Sequence, residues 1–176
     1  MQFRQMPLVN GDSVPSVERS AATSTGEVVE INISPQHEKL PQRVETVRAV
    51  AGRGLRGDRY FIGDGEPVPN RLEDLTLIAT EALDALRDEH GIELSAAESR
   101  RNVATRGIDL NALVGKRFRV GSVVCEGITL CEPCNGLAKT TQRGVLKGLA
   151  HRGGLNAAIV GDGEITVGDR IAPAGA

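Results

Sequence analysis

Short runs of alternating apolar and polar residues, each cut off by glycine, most limit what this chain can fold into. Gly26–Ile33 (GEVVEINI) and residues 44–50 (VETVRAV) both alternate and are rich in Val and Ile. Such a period of two is the signature of a strand with one face buried. Arg117–Val120 and Val123–Leu130 flank Gly121-Ser122, a pair suited to a tight hairpin turn. Residues 157–160 and 164–167 are set to pair in the same way across Gly161-Asp162-Gly163. The 21 glycines among 176 residues exceed the roughly twelve that average usage gives, and they supply the turns between many short strands. With three Phe, one Tyr and no Trp, the core has to be aliphatic. Many short strands imply a small, mostly β barrel, because closure removes exposed strand edges.

Other segments fit around these strands. Residues 1–25 mix Pro, Ser, Thr, Asn and Gly without period and read as a flexible lead-in, so the domain is expected over 26–176. Residues 75–78 form a short strand. One clear helix follows over 81–90, capped by Thr80 and stopped by Gly91, with Leu83 and Leu86 on one face. Residues 108–113 are turn-rich, and residues 63–70 (GDGEPVPN) form a loop. Length favours a single domain.

Charge and cysteine usage narrow the function classes. A net charge of −2 with almost no aromatic residues gives no general attraction to nucleic acid. No apolar run is long enough to span a membrane, and the first residues lack the apolar stretch of a signal peptide. Three cysteines is an odd number, which speaks against a disulfide framework and for a reducing, cytoplasmic setting.

The chemistry concentrates between Arg100 and Gly154. Arg100, Arg101 and Arg106 offer fixed positive charge and bidentate donors, and Asn102 and Thr105 offer neutral ones. The segment Cys131-Glu132-Pro133-Cys134 carries two thiols. By strand period Cys125 and Cys131 share a face, whereas Cys134 lies past Pro133 in a loop, where a thiol is available for chemistry. Downstream come Lys139, Thr140, Thr141 and Arg143, then the glycine loop His151-Arg152-Gly153-Gly154.

Four readings of the thiols stay open on residues alone. Cys125, Cys131, Cys134 and His151 could hold a structural zinc. The C-x-P-C pattern could act in thiol–disulfide exchange. The cysteines could be core filler, which suits Cys125 above all. Finally, Cys134 could ligate a metal carried by an anionic organic cofactor, thiolate being a soft ligand.

Four segments, in order and spacing, resemble the MOSC domain, named after the C-terminal part of molybdenum cofactor sulfurases. They are GRGLRGDRY at 52–60, RRNVATRGIDL at 100–110, CEPC at 131–134 and RGGLNAAIVGDGEITVGDRI at 152–171. The resemblance implies a closed β-barrel with few helices that binds the molybdenum cofactor, a molybdenum-bound pterin. It implies Cys134 as the molybdenum ligand or sulfur carrier, with Cys131 as an extra cysteine found in some members. Arg101, Asn102 and Thr105 would line the cofactor site, and Gly107 and Asp109 would shape its wall. Gly57, Asp58, Arg152, Gly153 and Gly154 would hold loops over it. The function implied is an oxidoreductase that reduces N-hydroxylated small molecules, served by an electron-donor protein. The alternative is a carrier of cofactor or sulfur, served by a sulfur-donating desulfurase. The chain lacks an aminotransferase-like domain, so no pyridoxal phosphate chemistry is expected of it alone. It also lacks the separate N-terminal barrel of larger reductase members.

Overall fold

The structure, a computed structural model, describes residues 25–37 and 39–175; the expected lead-in lies almost wholly outside the described residues. Eleven strands and three helices follow in chain order. They are β1 (Gly26–Ile33), β2 (Gln42–Val44), β3 (Thr46–Val50), β4 (Gly54–Leu55), β5 (Leu75–Ala79), α1 (Thr80–His90), β6 (Val103–Arg106), β7 (Arg117–Val120), β8 (Val123–Leu130), α2 (Asn135–Thr140), α3 (Val145–Gly148), β9 (Leu155–Ile159), β10 (Gly163–Thr166) and β11 (Arg170–Pro173). A single 3₁₀ turn, Asn111–Leu113, occupies the turn-rich segment.

Seven strands close a barrel in the order β11-β7-β8-β9-β5-β6-β1, and β1 returns to β11 through Gly26–Ile171 and Glu27–Arg170. The expected mostly β, closed-barrel architecture is therefore present. All neighbours in the ring are antiparallel except β5 and β6. A parallel pair needs a long crossover, and α1 with the segment after it supplies one. The interior is aliphatic, as composition demanded. Val28, Ile31, Leu75, Leu77, Val103, Val123, Leu155 and Ile171 are all 1% exposed or less, around one Phe at 118. The expected hairpin β7–β8 forms, pairing Val120 with Val123.

Three expectations are corrected. Residues 44–50 are not one strand: β2 pairs with β1, while β3 leaves for a small second sheet, β10-β3-β4. That sheet also takes β10, so 157–160 and 164–167 form no hairpin. The reason lies in the loop between them. The Gly52 amide donates to the Ile159 carbonyl and the Ala51 amide to Asp162 Oδ1, so the loop docks on the β3–β4 turn and turns β10 onto β3. Thr80 is the first residue of α1 rather than its cap; its hydroxyl donates to the Thr105 carbonyl, tying α1 to β6. Gly91 ends α1 as expected, at φ 63°.

Beside α1 stand two helices that periodicity did not show, α2 and α3, each shorter than two turns. Leu86, Leu137, Val145 and Leu149 make a second apolar cluster there, all 2% exposed or less. This cluster seats α2 against α1 and α3 and so fixes the residue that precedes it, Cys134. No helix among the described residues is long and apolar enough to cross a membrane.

The entry to β5 holds a buried carboxylate. Asp74, 1% exposed, accepts from the Ile159 amide at 3.2 Å and pairs with Arg71 at 3.0 Å. Burial outweighs both and raises its pKa from 3.8 to about 6, with Glu73 adding to the rise. The folded state thus holds this proton more tightly than the unfolded chain. Its contribution to stability falls as pH rises from 3.8 through about 6. Urea unfolding of wild type and Asp74→Asn checks this: the variant gains stability relative to wild type across that window, and a constant gap would contradict it.

Candidate functional site

A cleft of about 700 Å³ opens at one end of the barrel, where β1 and β8 end and β6 and β9 begin. Asn32, Ser34, Asp58, Arg59, Thr76, Ser99, Arg101, Asn102, Cys131, Cys134 and Asn156 line it, and His37, Tyr60 and Leu72 stand among its outer residues.

Arg101 and Asn102 build its floor. Arg101 Nε donates to the Gly153 carbonyl at 3.0 Å, Nη1 to Ser99 at 3.2 Å, and Nη2 to the carbonyls of Cys131 at 3.0 Å and Glu132 at 3.5 Å. Its donors therefore clamp backbone rather than waiting for an anion. The charge remains, since carbonyls do not neutralise it. Asn102 is equally committed. Its Oδ1 accepts from the Thr76 amide and hydroxyl, and its Nδ2 donates to the Asn32 carbonyl and to Asp58 Oδ2. Asp58 also accepts from the amides of Ser34 and Tyr60, which pins the 57–60 loop to the end of β1. Asn102, with Thr76 on one side and Asp58 on the other, is thus locked in one arrangement.

The thiols divide sharply. Cys125 is fully buried in the barrel core, and burial, with Asp74 nearby, pushes its pKa up to about 12. Cys131 does not share its face. A bulge between Gly127 and Thr129 inserts Ile128 between paired residues, so the alternation slips and Cys131 emerges in the cleft. Burial also raises the Cys131 pKa, against the pull of Arg101. Cys134 is exposed at the start of α2, in extended backbone. The backbone N–H of Leu137, then that of Gly136, and the Arg101 charge lower its pKa despite some desolvation. None of these contacts closes as a side-chain capping bond.

The remaining predicted residues fall in three places. Gly153 and Gly154 back the cleft without lining it. A Cβ on Gly153 would sit 2.6 Å from the Cys131 carbonyl, and Gly154, at φ 120°, would drive one into the Leu77 carbonyl and toward Arg101. Gly57, at φ 90°, turns the loop that presents Asp58. Thr105 is wholly buried in β6, donating to Ile78. Gly107, Asp109 and Arg152 lie apart from the cleft, around a smaller hollow of about 390 Å³. There Arg152 pairs with Glu89 of α1, and Asp109 accepts from the Asn111 amide. His151 is on the surface and paired to Glu132. Among the described residues no group of three His, Cys, Asp or Glu side chains is placed to hold a metal, which overturns the zinc reading.

Sequence reasoning passed over Asn32, Ser34, Arg59, Tyr60, Thr76 and Asn156. The GRGLRGDRY loop was the one available signal for Arg59 and Tyr60.

Residues 71–172 match the family profile described as the MOSC domain. The chain belongs to the MOSC domain family. Solved structures share the fold. The chain is similar to YuaD from Bacillus subtilis, with a TM-score of 0.69, 17% identity, and coverage of 85% of this chain and 95% of that one. It is similar to YiiM from Geobacillus stearothermophilus, with a TM-score of 0.64, 16% identity, and coverage of 85% and 75%. YiiM from Escherichia coli gives a TM-score of 0.61, 14% identity, and coverage of 85% and 70%. A search of curated proteins finds no match. Family membership makes this MOSC domain a molybdenum-cofactor-related module. Cys131, Cys134, Arg101 and Asn102 lie inside the matched stretch, whereas Asn32, Asp58, Arg59 and Tyr60 precede it.

Two outcomes follow from this geometry. Brief alkylation with iodoacetamide at pH 7 modifies Cys134 first and Cys131 more slowly, and reaches Cys125 only after unfolding; peptide mass spectrometry reads the order. Arg101→Lys leaves several buried carbonyls unpaired and costs about 2–4 kcal/mol of stability by chemical unfolding.

Proposed function

We propose that the barrel-end cleft binds the molybdenum cofactor, with Cys134 as the protein's ligand to the metal. The observation that carries this reading is a thiol of lowered pKa at the mouth of a cleft that holds buried polar side chains, with no second metal ligand set around it among the described residues. A lone thiolate does not hold a metal by itself, so the metal has to arrive already bound to an organic group. The residues present fit such a group. The cleft volume lies within the range of ligand sites. The soft sulfur suits molybdenum, and two polar side-chain atoms at the cleft, Asn32 Oδ1 and Arg59 Nε, are buried without a protein partner.

Bound there, the cofactor supplies two-electron redox chemistry. The protein's own part is to favour the Cys134 thiolate through the α2 amides and Arg101, and to keep the cleft rigid through Asn102 and Asp58. Tyr60 and Leu72 border the outer cleft, where a substrate enters. The reaction we assign to it is reduction of an N-hydroxylated small molecule: R–NHOH, two electrons and two protons give R–NH₂ and water. The electrons come from a donor protein. Free thiols suit a reducing compartment, and we place the protein in the cytoplasm.

One observation favours a second reading. Cys134 is exposed, so it could instead carry a persulfide or hand the cofactor on. Metal analysis and turnover separate these. Wild type made in a cofactor-producing host contains molybdenum, and Cys134→Ser loses it while remaining folded. Loaded wild type with a competent donor reduces a hydroxylamine. Molybdenum without turnover favours the carrier, and equal molybdenum in the variant removes Cys134 as ligand.

A further inference from the structure

The polar residues of the cleft fall into two sets. Asn102, Asp58 and Arg101 are saturated by protein partners. Ser34 donates its hydroxyl to the Gln36 carbonyl. Asn32 and Arg59 are different. Asn32 is 1% exposed, yet its Oδ1 meets no partner, and the buried Nε of Arg59 meets none either. Among the described residues these are the two buried side-chain atoms left so, and both residues line the same cleft.

Buried polar atoms are nearly always paired, so such orphans point to a group that arrives from outside the chain. The chemistry of that group can be read from what is missing. Asn32 Nδ2 donates to Glu30 Oε1 at 3.0 Å, which fixes the amide so that the free atom is the acceptor. The Arg59 amide donates to the Ser34 carbonyl at 2.9 Å, and its guanidinium lies 4.6 Å over the Tyr60 ring, so the free N–H sits on a held plane. One site wants an N–H and the other wants a carbonyl or ring nitrogen.

We propose that Asn32 and Arg59 form an acceptor–donor pair that reads the planar lactam-type edge of a nitrogen heterocycle, which in this protein is the pterin of the cofactor. This rests on the cofactor reading above and adds two specificity residues to it. Both precede the stretch that matches the family profile. The saturated Arg101 and Asn102 act by positioning: Asn102 bonds the Asn32 carbonyl and Asp58, and so places both readers. A ligand without the N–H would leave the buried Asn32 Oδ1 unpaired, and this is the kind of loss that gives sharp discrimination.

The test is fluorescence titration of the full chain with free pterin and with 3-methylpterin, whose ring N–H is blocked. Wild type binds pterin at least about tenfold more tightly than the methylated compound. Asn32→Leu and Arg59→Met each weaken pterin binding by about tenfold, and Asn32→Leu also erases the preference. The methyl comparison uses unaltered protein, so it stands even if a variant fails to fold. Equal affinity of wild type for the two compounds, or no binding of pterin, overturns the proposal. A preserved preference together with unchanged molybdenum in Cys134→Ser would instead sink Cys134 as the metal ligand and leave this pair standing.

Discussion

The Arg101 guanidinium is the interaction on which the site depends. It crosses from the start of β6 to the carbonyls of Cys131 and Gly153, joining the end of β8 to the loop before β9. The Cys131 amide donates in turn to the Gly154 carbonyl, and the Glu132 carboxylate accepts from the His151 amide. The first half of the C-x-P-C segment, Cys131 and Glu132, is therefore held by the 151–154 loop. A guanidinium bonded only to carbonyls keeps its charge, so one side chain shapes the segment and adds to the Leu137 and Gly136 amides in lowering the Cys134 pKa.

Barrel closure explains why this clamp can exist. Closing the ring brings the ends of β1 and β8 to the same rim as the starts of β6 and β9. Residues far apart in the chain then meet: Asn32 with Asn102, Arg101 with Gly153. The single parallel pair matters too. The α1 crossover that joins β5 to β6 carries the apolar face on which α2 and α3 pack, and α2 orients the amides toward Cys134. The Cys134 segment thus rests on a satellite core, while the polar floor rests on the barrel itself.

Legibility followed the range of the forces involved. The strands at 26–33, 117–120 and 123–130, the helix over 80–90 and its Gly91 stop were open to reading, because alternation, turn chemistry and capping act within a few residues. So was the availability of Cys134, from Pro133 and the end of a strand. The bulge at Ile128 was not, since a bulge is a response to the neighbouring strand's register, and it moved Cys131 from the core to the cleft. The docking of the 160–162 loop on the β3–β4 turn, which sent β10 to another sheet, was hidden for the same reason. Asn32 shows the effect most plainly: alternation marks it as an outward polar residue, and only the 57–60 loop folding across β1 buries it.

By itself the sequence determined a glycine-punctuated, aliphatic, mostly β barrel, and placed a thiol just beyond a barrel strand. These follow from local periodicity and from the lack of aromatic bulk. The tertiary structure alone decided which polar atoms are spent and which are free. Arg101 and Asn102, the conspicuous donors in the chain, are consumed by carbonyls and a carboxylate brought to them by closure. Asn32 and Arg59 keep unpaired atoms because the 57–60 loop, docked on the end of β1, buries them beside the cleft. Hydrogen-bond saturation is a property of neighbours in space, and no spacing along the chain encodes it.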